Sequence, residues 1–198
     1  MCGINGIVTS DYSLQKKIKN LNILLKHRGP DDEGFVAIDR SNGKFMQYSG
    51  DSSIEKVKHN HPHISNLAND GSDLILAHRR LSIIDLSENG HGPMSTENGR
   101  FWITYNGEIY NYPELRDELS TFGYTFKTSS DTEVILRAYE HWGTECLNKF
   151  NGMWAFAIWD NSKKILFLAR DRFGIKPLYY TKTPDFFAFS SEIKPLVS

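Results

Sequence analysis

The distribution of strand and helix patterns along the chain constrains the fold more than any other feature. Strand patterns stand at both ends, in residues 2–9 and 154–190, and helical patterns are clustered between them. Separate runs of strands and helices are typical of an α+β protein, in which sheets pack on each other or on helices. With 198 residues, the chain fits one domain or at most two small ones.

The first part of the chain predicts one strand, one helix and two loops. Small and β-branched residues alternate over residues 2–9, which indicates a short buried strand. An apolar stripe with helical spacing follows over residues 14–25. Residues 27–34 have the composition of a turn-rich loop. Residues 41–73 are polar and irregular, and a loop of that length is uncommon in a compact domain, so we expect an insertion there.

The rest of the chain predicts further strands and two helices. A strand over residues 101–105 runs directly into Asn106 and Gly107. One helix follows with Pro113 in its first turn, and a second begins at a capping-box sequence over residues 130–133. The remaining strand patterns are 74–77, a hairpin of 154–160 with 165–170, and a second pair of 178–181 with 186–190.

The composition excludes several classes of protein. The formal net charge is -1, so no global field favours nucleic acid or a membrane surface. The first residues lack the pattern of a signal peptide, and no segment approaches the ~20 apolar residues of a membrane span. Two cysteines do not form a disulfide scaffold. We expect a cytoplasmic protein that binds neither nucleic acid nor a membrane.

Cys2 is the first residue with catalytic potential. Removal of Met1 would expose the thiol and the α-amine of the same residue. An α-amine has a pKa of about 7.7–8.0, against about 8.5 for a thiol, so this amine could serve as the base. One residue would then hold the nucleophile and its base together. Taken alone, Cys2 fits better as a small buried residue at the start of a strand than as a nucleophile.

Asn106 and Gly107 follow a predicted strand and could form a second part of a site. A side-chain amide beside a glycine N–H offers two donors, as acyl transfer requires for a developing oxyanion. The same dipeptide is a strong signal for a hairpin turn, so that alternative stays open.

Arg80 and Asp131 could bind the two charged ends of a zwitterion. Arginine is shaped to hold a carboxylate through two parallel hydrogen bonds, and an aspartate can bind an ammonium group. The alternatives are a surface arginine at a strand end and an acidic residue that the helix dipole favours in the first turn.

The histidines suggest two further hypotheses. His59, His61 and His63 stand in one short segment, but neither Cys, Asp nor Glu completes a zinc spacing there, so we expect no metal. A Cys–His dyad that uses His27 or His78 stays open, although it would not explain a cysteine at position 2.

Eight segments in order resemble class II glutamine amidotransferases, most closely the N-terminal glutaminase domain of glutamine-hydrolysing asparagine synthetases. The resemblance covers residues 1–198 except for the predicted insertion at 41–73. It implies the N-terminal-nucleophile hydrolase fold, an αββα sandwich of two antiparallel sheets flanked by helices. The segments are MCGINGIV, HRGPDDEG, HRRLSIID, NGEIYN, SSDTEVIL, NGMWAFAIWD, RDRFGIKPLYY and SSEIK.

The resemblance also implies the role of each site residue. Cys2 would attack the carboxamide of L-glutamine, and Asn106 and Gly107 would hold the oxyanion. Arg80 would bind the α-carboxylate of glutamine. The remaining substrate-binding residues would be Leu81 and Ile83 through their backbone groups, and Glu108 and Asp131 through their carboxylates.

The resemblance implies no cofactor in this domain. ATP and magnesium are expected only in a C-terminal synthetase domain or subunit, which would receive the ammonia and amidate aspartate. We expect the chain to be truncated before that domain, since Glu192–Lys194 looks like the start of a connection. A sugar or surface-polysaccharide amidotransferase, a phosphoribosyl amine pathway, another N-terminal-nucleophile amide hydrolase and a non-catalytic glutamine sensor are the alternatives. A homodimer is one assembly that we consider.

Overall fold

In a computed structural model, which describes residues 1–82 and 90–198, two antiparallel sheets pack against each other. The first sheet has six strands in the order β3-β2-β4-β1-β10-β9, and the second has four in the order β5-β6-β7-β8. The described strands are β1 (Gly3–Val8), β2 (Asp32–Ile38), β3 (Phe45–Tyr48), β4 (Leu74–Arg80), β5 (Met94–Ser95), β6 (Phe101–Ile109), β7 (Gly152–Asp160), β8 (Ile165–Arg170), β9 (Tyr179–Lys182) and β10 (Phe187–Ser190).

Two of the helices are long enough to cover a sheet. These are α4 (Tyr112–Thr121) and α5 (Asp131–Trp142), and the shorter ones are α1 (Tyr12–Gln15), α2 (Ile18–Ile23) and α3 (Glu55–Asn60). Helix α5 begins where the sequence predicts, with the Ser130 side chain accepting a hydrogen bond from the N–H of Thr132. Within the described parts of the chain, we find no helix with the length and apolar character that a membrane crossing demands.

Three apolar clusters give the order of the layers. The middle cluster joins the two sheets directly, with Ile4 and Phe189 of the first sheet against Trp102 and Trp159 of the second. A second cluster packs α4 and α5 on the outer face of the four-stranded sheet. The third places Ile18 of α2 on the outer face of the six-stranded sheet. The layers are therefore helix, sheet, sheet and helix, which confirms the predicted α+β class.

Strand β1 lies in the interior of the six-stranded sheet. Gly3 is opposite Arg79 of β4, and Asn5 is opposite Ser190 of β10. Both neighbours pair antiparallel with β1. Because Cys2 directly precedes this strand, the position of its backbone is set by the sheet.

Three predicted loops or helices differ in the structure. The stripe over residues 14–25 forms two short helices instead of one, and the buried polar side chains of Gln15 and Asn22 bond within the fold. Residues 32–34, predicted as loop, begin β2, whose residues are all buried. A strand buried on both faces lacks the alternation that identifies a half-exposed strand.

Residues 41–73 are also more regular than the sequence predicts. They contain β3, which pairs with β2, helix α3, and a short 3₁₀ turn over Ile64–Asn66. Ile64 and Leu67 join the cluster on the outer face of the six-stranded sheet. The segment is therefore part of the packed domain, and its status as an insertion stays a prediction.

Candidate active site

A cavity of ≈ 300 Å³ lies at the amino terminus and brings together seven of the eight predicted site residues. They come from the start of β1, the end of β4, strand β6 and the start of α5. The seven are Cys2, Arg80, Leu81, Asn106, Gly107, Glu108 and Asp131. The eighth, Ile83, lies outside the described residues.

The Cys2 thiol is held at the end of β4. Its Sγ lies 3.4 Å from the N–H of Leu81, which donates to it, and 3.7 Å from the Leu81 carbonyl oxygen. Burial raises the pKa of the Cys2 thiol, while the Leu81 N–H, the amino-terminal charge and Arg80 oppose that shift. The surrounding positive charges and the Leu81 N–H therefore offset part of the cost of forming a buried thiolate.

Arg28 fixes the backbone of the nucleophile. Its Nε donates to the Cys2 carbonyl oxygen at 3.0 Å, and its Nη1 lies 3.1 Å from Oε1 of Glu192. Glu192 also bonds His27 at 2.8 Å. Residues distant in sequence thus hold Cys2 at the mouth of the cavity.

Asn106 and Gly107 lie inside β6 and not in a hairpin turn. They face Ala155 and Trp154 of β7, so the turn alternative is wrong because sheet pairing overrides the local preference. Asn106 is 1% exposed, and within the described structure neither polar atom of its side-chain amide has a hydrogen-bond partner. A Cβ at position 107 would lie 2.7 Å from the Trp154 Cα, so only glycine fits.

A buried amide without partners costs free energy, typically about 1–3 kcal/mol. Such a group in a native structure calls for an explanation, and a ligand or a reaction is one. The Asn106 amide thus has a donor and an acceptor at the cavity that no described group of the fold uses.

Asp131 is a buried carboxylate with two of its contacts fixed by the fold. Its Oδ2 accepts hydrogen bonds from the Tyr105 hydroxyl at 2.8 Å and from the N–H of Ile109 at 3.0 Å. Burial nevertheless raises the pKa of Asp131, and Glu108 adds to that shift. A bound cation would compensate this buried negative charge.

Both histidines of the dyad hypothesis have hydrogen-bond partners other than the Cys2 thiol. His27 bonds Glu192, and Nδ1 of the buried His78 lies 3.2 Å from the Thr104 hydroxyl. Burial lowers the pKa of His78 to about 3, so the ring is neutral at physiological pH. Over residues 1–82 and 90–198, no group of three or more His, Cys, Asp or Glu side chains is placed to hold a metal.

Sequence reasoning missed Lys176, which lines the same cavity and is only 6% exposed. It lies in the segment RDRFGIKPLYY, already singled out for the resemblance. A buried lysine is uncommon, but burial depends on tertiary packing and has no local signature.

Comparison with known proteins agrees with this geometry. Residues 46–198 match the family model described as glutamine amidotransferase domain. Asparagine synthetase [glutamine-hydrolyzing] 1 of Bacillus subtilis is 40% identical, with 100% of this chain and 27% of the relative aligned. A putative asparagine synthetase [glutamine-hydrolyzing] 2 of Methanocaldococcus jannaschii is 38% identical over 100% of this chain and 35% of its own length. The chain thus spans about a quarter to a third of these relatives.

Solved structures support the fold alone. Glutamine phosphoribosylpyrophosphate amidotransferase from B. subtilis, complexed with ADP and GMP, superposes with a TM-score of 0.77 at 23% identity. That alignment covers 99% of this chain and 43% of the other. It confirms the predicted N-terminal-nucleophile arrangement of two antiparallel sheets between helical layers.

Proposed function

Since this chain belongs to the class II glutamine amidotransferase family, we propose that it hydrolyses L-glutamine to glutamate and ammonia through a thioester on Cys2. One observation carries the proposal. The Cys2 thiol, the unpartnered Asn106 amide and the buried Asp131 carboxylate line a single cavity. Its volume of ≈ 300 Å³ is at the lower end of the range of about 300–1,000 Å³ for small-molecule sites.

The reaction begins after Met1 is removed, when Cys2 carries a free α-amine. The amine accepts the thiol proton while Sγ forms a bond to the carboxamide carbon of glutamine. The carbon–nitrogen bond then breaks, and the proton leaves with ammonia. Water attacks the thioester and releases glutamate, which returns the thiol.

Asn106 and Gly107 stabilise the negative oxygen that forms at each tetrahedral step. The side-chain amide of Asn106 and the N–H of Gly107 are the proposed donors. Their positions within β6, paired to β7, make them rigid before the substrate binds. Preorganised donors are effective because they need no reorganisation during the reaction.

The charged ends of glutamine are matched by opposite charges around the cavity. Arg80 binds the α-carboxylate, and Asp131 and Glu108 bind the α-ammonium group. Leu81, and Ile83 beyond the described residues, supply backbone contacts. Asp131 already has its Oδ2 occupied by the fold, so substrate binding leaves its orientation unchanged.

The ammonia passes to a synthetase domain, where ATP and magnesium would be used. Support comes from the names of the relatives, which are glutamine-hydrolysing asparagine synthetases. The acceptor would then be aspartate. The chemistry at Cys2 is identical if the acceptor is a sugar, so the acceptor has to be identified by assay of the complete protein.

The second candidate function is a non-catalytic glutamine sensor, and the presence of Met1 before Cys2 is the reason to consider it. Met1 lines the cavity, and its amide bond to Cys2 removes the free amine that serves as base. A protein that retains Met1 can bind glutamine in this cavity without hydrolysing it.

The test combines intact mass with glutamate release for the wild type, Cys2→Ala and Cys146→Ala. We expect loss of Met1 and glutamate release that Cys2→Ala abolishes. Cys146 is fully buried elsewhere, so Cys146→Ala should retain activity and serves as the matched control. Turnover by Cys2→Ala at the wild-type rate would refute the mechanism, and glutamine binding without turnover in a Met1-free wild type would favour the sensor.

A further inference from the structure

The loop that follows β8 presents its side chains in an unexpected way. Phe173 and Ile175 are 90% and 56% exposed, whereas Lys176 is 6% exposed and faces the cavity. Exposing a phenylalanine while burying a lysine is the reverse of what solvation favours. The loop therefore places a cationic side chain in the wall of the cavity.

The backbone of this loop is tightly fixed. Asp171 accepts hydrogen bonds from the N–H groups of Phe173, Ile175 and Lys176 at 3.1, 2.9 and 2.9 Å. Arg170 donates to the Lys176 carbonyl oxygen at 2.8 Å. Gly174 has a φ of 64°, a conformation that favours glycine. These hydrogen bonds fix the backbone of Lys176 at the cavity.

Charges from several elements act on the amino terminus and on Cys2. Arg28 and Lys176 are cations on two separate loops, and Arg80 is a third cation at the end of β4. Burial first, and then Arg28 and Lys176, lower the pKa of the α-amine of Met1, which stands next to Cys2 in the chain. The acidic groups that oppose these cations, or interact with Lys176 itself, are Asp31, Glu108, Asp131 and Asp171, and the neutral His78 and Tyr105 also line the cavity.

A cation affects the thiol and amine of Cys2 in the same direction. The reactive pair has one proton fewer than its fully protonated form, whether that proton leaves from sulfur or from nitrogen. A nearby positive charge favours the loss of this proton from either atom. The pair therefore becomes reactive at a lower pH.

Building on the proposed function, we propose that Lys176 is a positioning residue that holds a positive charge beside the Cys2 thiol–amine pair and sets the lower pH limit of its reactivity. Lys176 does not exchange protons with glutamine. It acts through its fixed charge, so arginine at this position should preserve the effect.

The test measures alkylation of Cys2 by iodoacetamide as a function of pH, without glutamine, on protein that lacks Met1. Lys176→Met should raise the pH of half-maximal reactivity by about one unit, which is roughly a tenfold lower rate below that pH. Lys176→Arg should resemble wild type. The matched control is Lys182→Met, which removes an exposed lysine of β9. Fully buried Cys146 provides an unreactive internal reference.

Glutamate release tested over the same pH range separates this proposal from the proposed function. Lys176→Met should move the acidic limb of kcat/KM upward by the same amount and leave the plateau at higher pH within about twofold. An unchanged alkylation profile, or an equal shift in Lys182→Met, would overturn the role of Lys176. A shifted alkylation profile in a protein that never releases glutamate would uphold Lys176 and refute glutamine hydrolysis. Lys176→Gln repeats the test if thermal unfolding shows that the methionine variant is not folded.

Discussion

Arg79 and Arg80 are consecutive residues of β4, yet they lie in two very different polar regions. Arg79 faces α2, where its Nη2 lies 2.9 Å from Glu33 and its Nε donates to the Asn22 carbonyl oxygen at 3.1 Å. Arg80 lines the cavity with Cys2 and Asp131. Successive side chains of a strand point to opposite faces, so a single strand serves both regions.

The two regions differ in how their polar groups are used. Around Arg79, the Glu33 carboxylate also accepts hydrogen bonds from the Asn22 amide and from the N–H of Ser52. Groups of the fold itself therefore compensate its charge. At the cavity, the Asn106 amide has no partner within the described residues. Arg79 uses Nη2 and Nε within the fold and leaves only Nη1 without a partner, whereas neither polar atom of the Asn106 amide has a partner among the described residues.

The largest expected effect is a loss of stability in the region around Arg79. Arg79→Met should lower the free energy of unfolding by about 3–5 kcal/mol, because it leaves the buried Glu33 carboxylate without its cation. Denaturant unfolding would measure the loss. Arg40→Met breaks a more exposed pair with Asp73 and should cost under about 1 kcal/mol. Equal losses in the two variants would show that burial does not distinguish these pairs.

The next largest expected effect is a loss of catalytic rate when Asn106 in the cavity is replaced. Asn106→Ala should lower kcat by about 10²–10³-fold, or about 2.7–4 kcal/mol of transition-state stabilisation. Its free energy of unfolding should stay within about 1 kcal/mol of wild type, since no partner in the described structure loses a hydrogen bond. Steady-state kinetics and denaturant unfolding measure the two quantities. A variant with normal kcat but much lower stability would show that Asn106 serves the fold and not the reaction.

Asp131→Asn should separate binding from stability. Loss of the charge paired with the α-ammonium group should raise KM by roughly ten- to a hundredfold, as for about 1.5–3 kcal/mol. Burial raises the folded-state pKa of Asp131, so its contribution to stability is full below the unfolded pKa and is lost as pH rises through the folded pKa. At pH 7 the asparagine variant should therefore unfold no more easily than wild type.

The pH dependence of KM sharpens the same prediction. Protonation of Asp131 removes its charge, and because its pKa is raised, KM should begin to rise at a higher pH than an ordinary aspartate would cause. Asp131→Asn should lack this acidic rise. A KM that rises identically in both proteins would assign the pH dependence to another group.

The smallest effect is expected at Ser130, which begins α5 and also lines the cavity. Ser130→Ala should cost about 1 kcal/mol of stability, because the Ser130 side chain caps α5 through the N–H of Thr132. Ser130→Gly should cost only a few tenths. Thermal unfolding compares the two variants. A loss in the glycine variant as large as in the alanine variant would mean that the cap contributes little.

The sequence predicts the parts of this comparison that have local signals. The start of α5 and the hairpin of β7 and β8 follow from capping residues and strand patterns, and the structure confirms both. The chemistry of single residues proposed five of the site residues, and the ordered motifs of the family added Leu81, Ile83 and Glu108 and implied a role for each. Their meeting in one cavity is a property of the tertiary structure.

Other features depend on distant contacts and could not be predicted. Asn106 and Gly107 are turn formers by local preference, but β7 pairs with them along the whole of β6. Glu133 completes the sequence of a capping box, yet its carboxylate accepts from the N–H groups of Lys127 and Thr128 instead. The same holds for Lys176, whose burial depends on how the loop after β8 packs.

The central position of β1 determines the earliest moment during synthesis at which the active site can form. Strand β1 is made first, but its neighbour β10 (Phe187–Ser190) is made last among the described strands. At a translation rate of about 5–20 residues per second, β1 waits about 10–40 s for that partner. Cys2 can therefore be exposed long before its sheet is complete, and the active site can form only after Phe187–Ser190 has been synthesised.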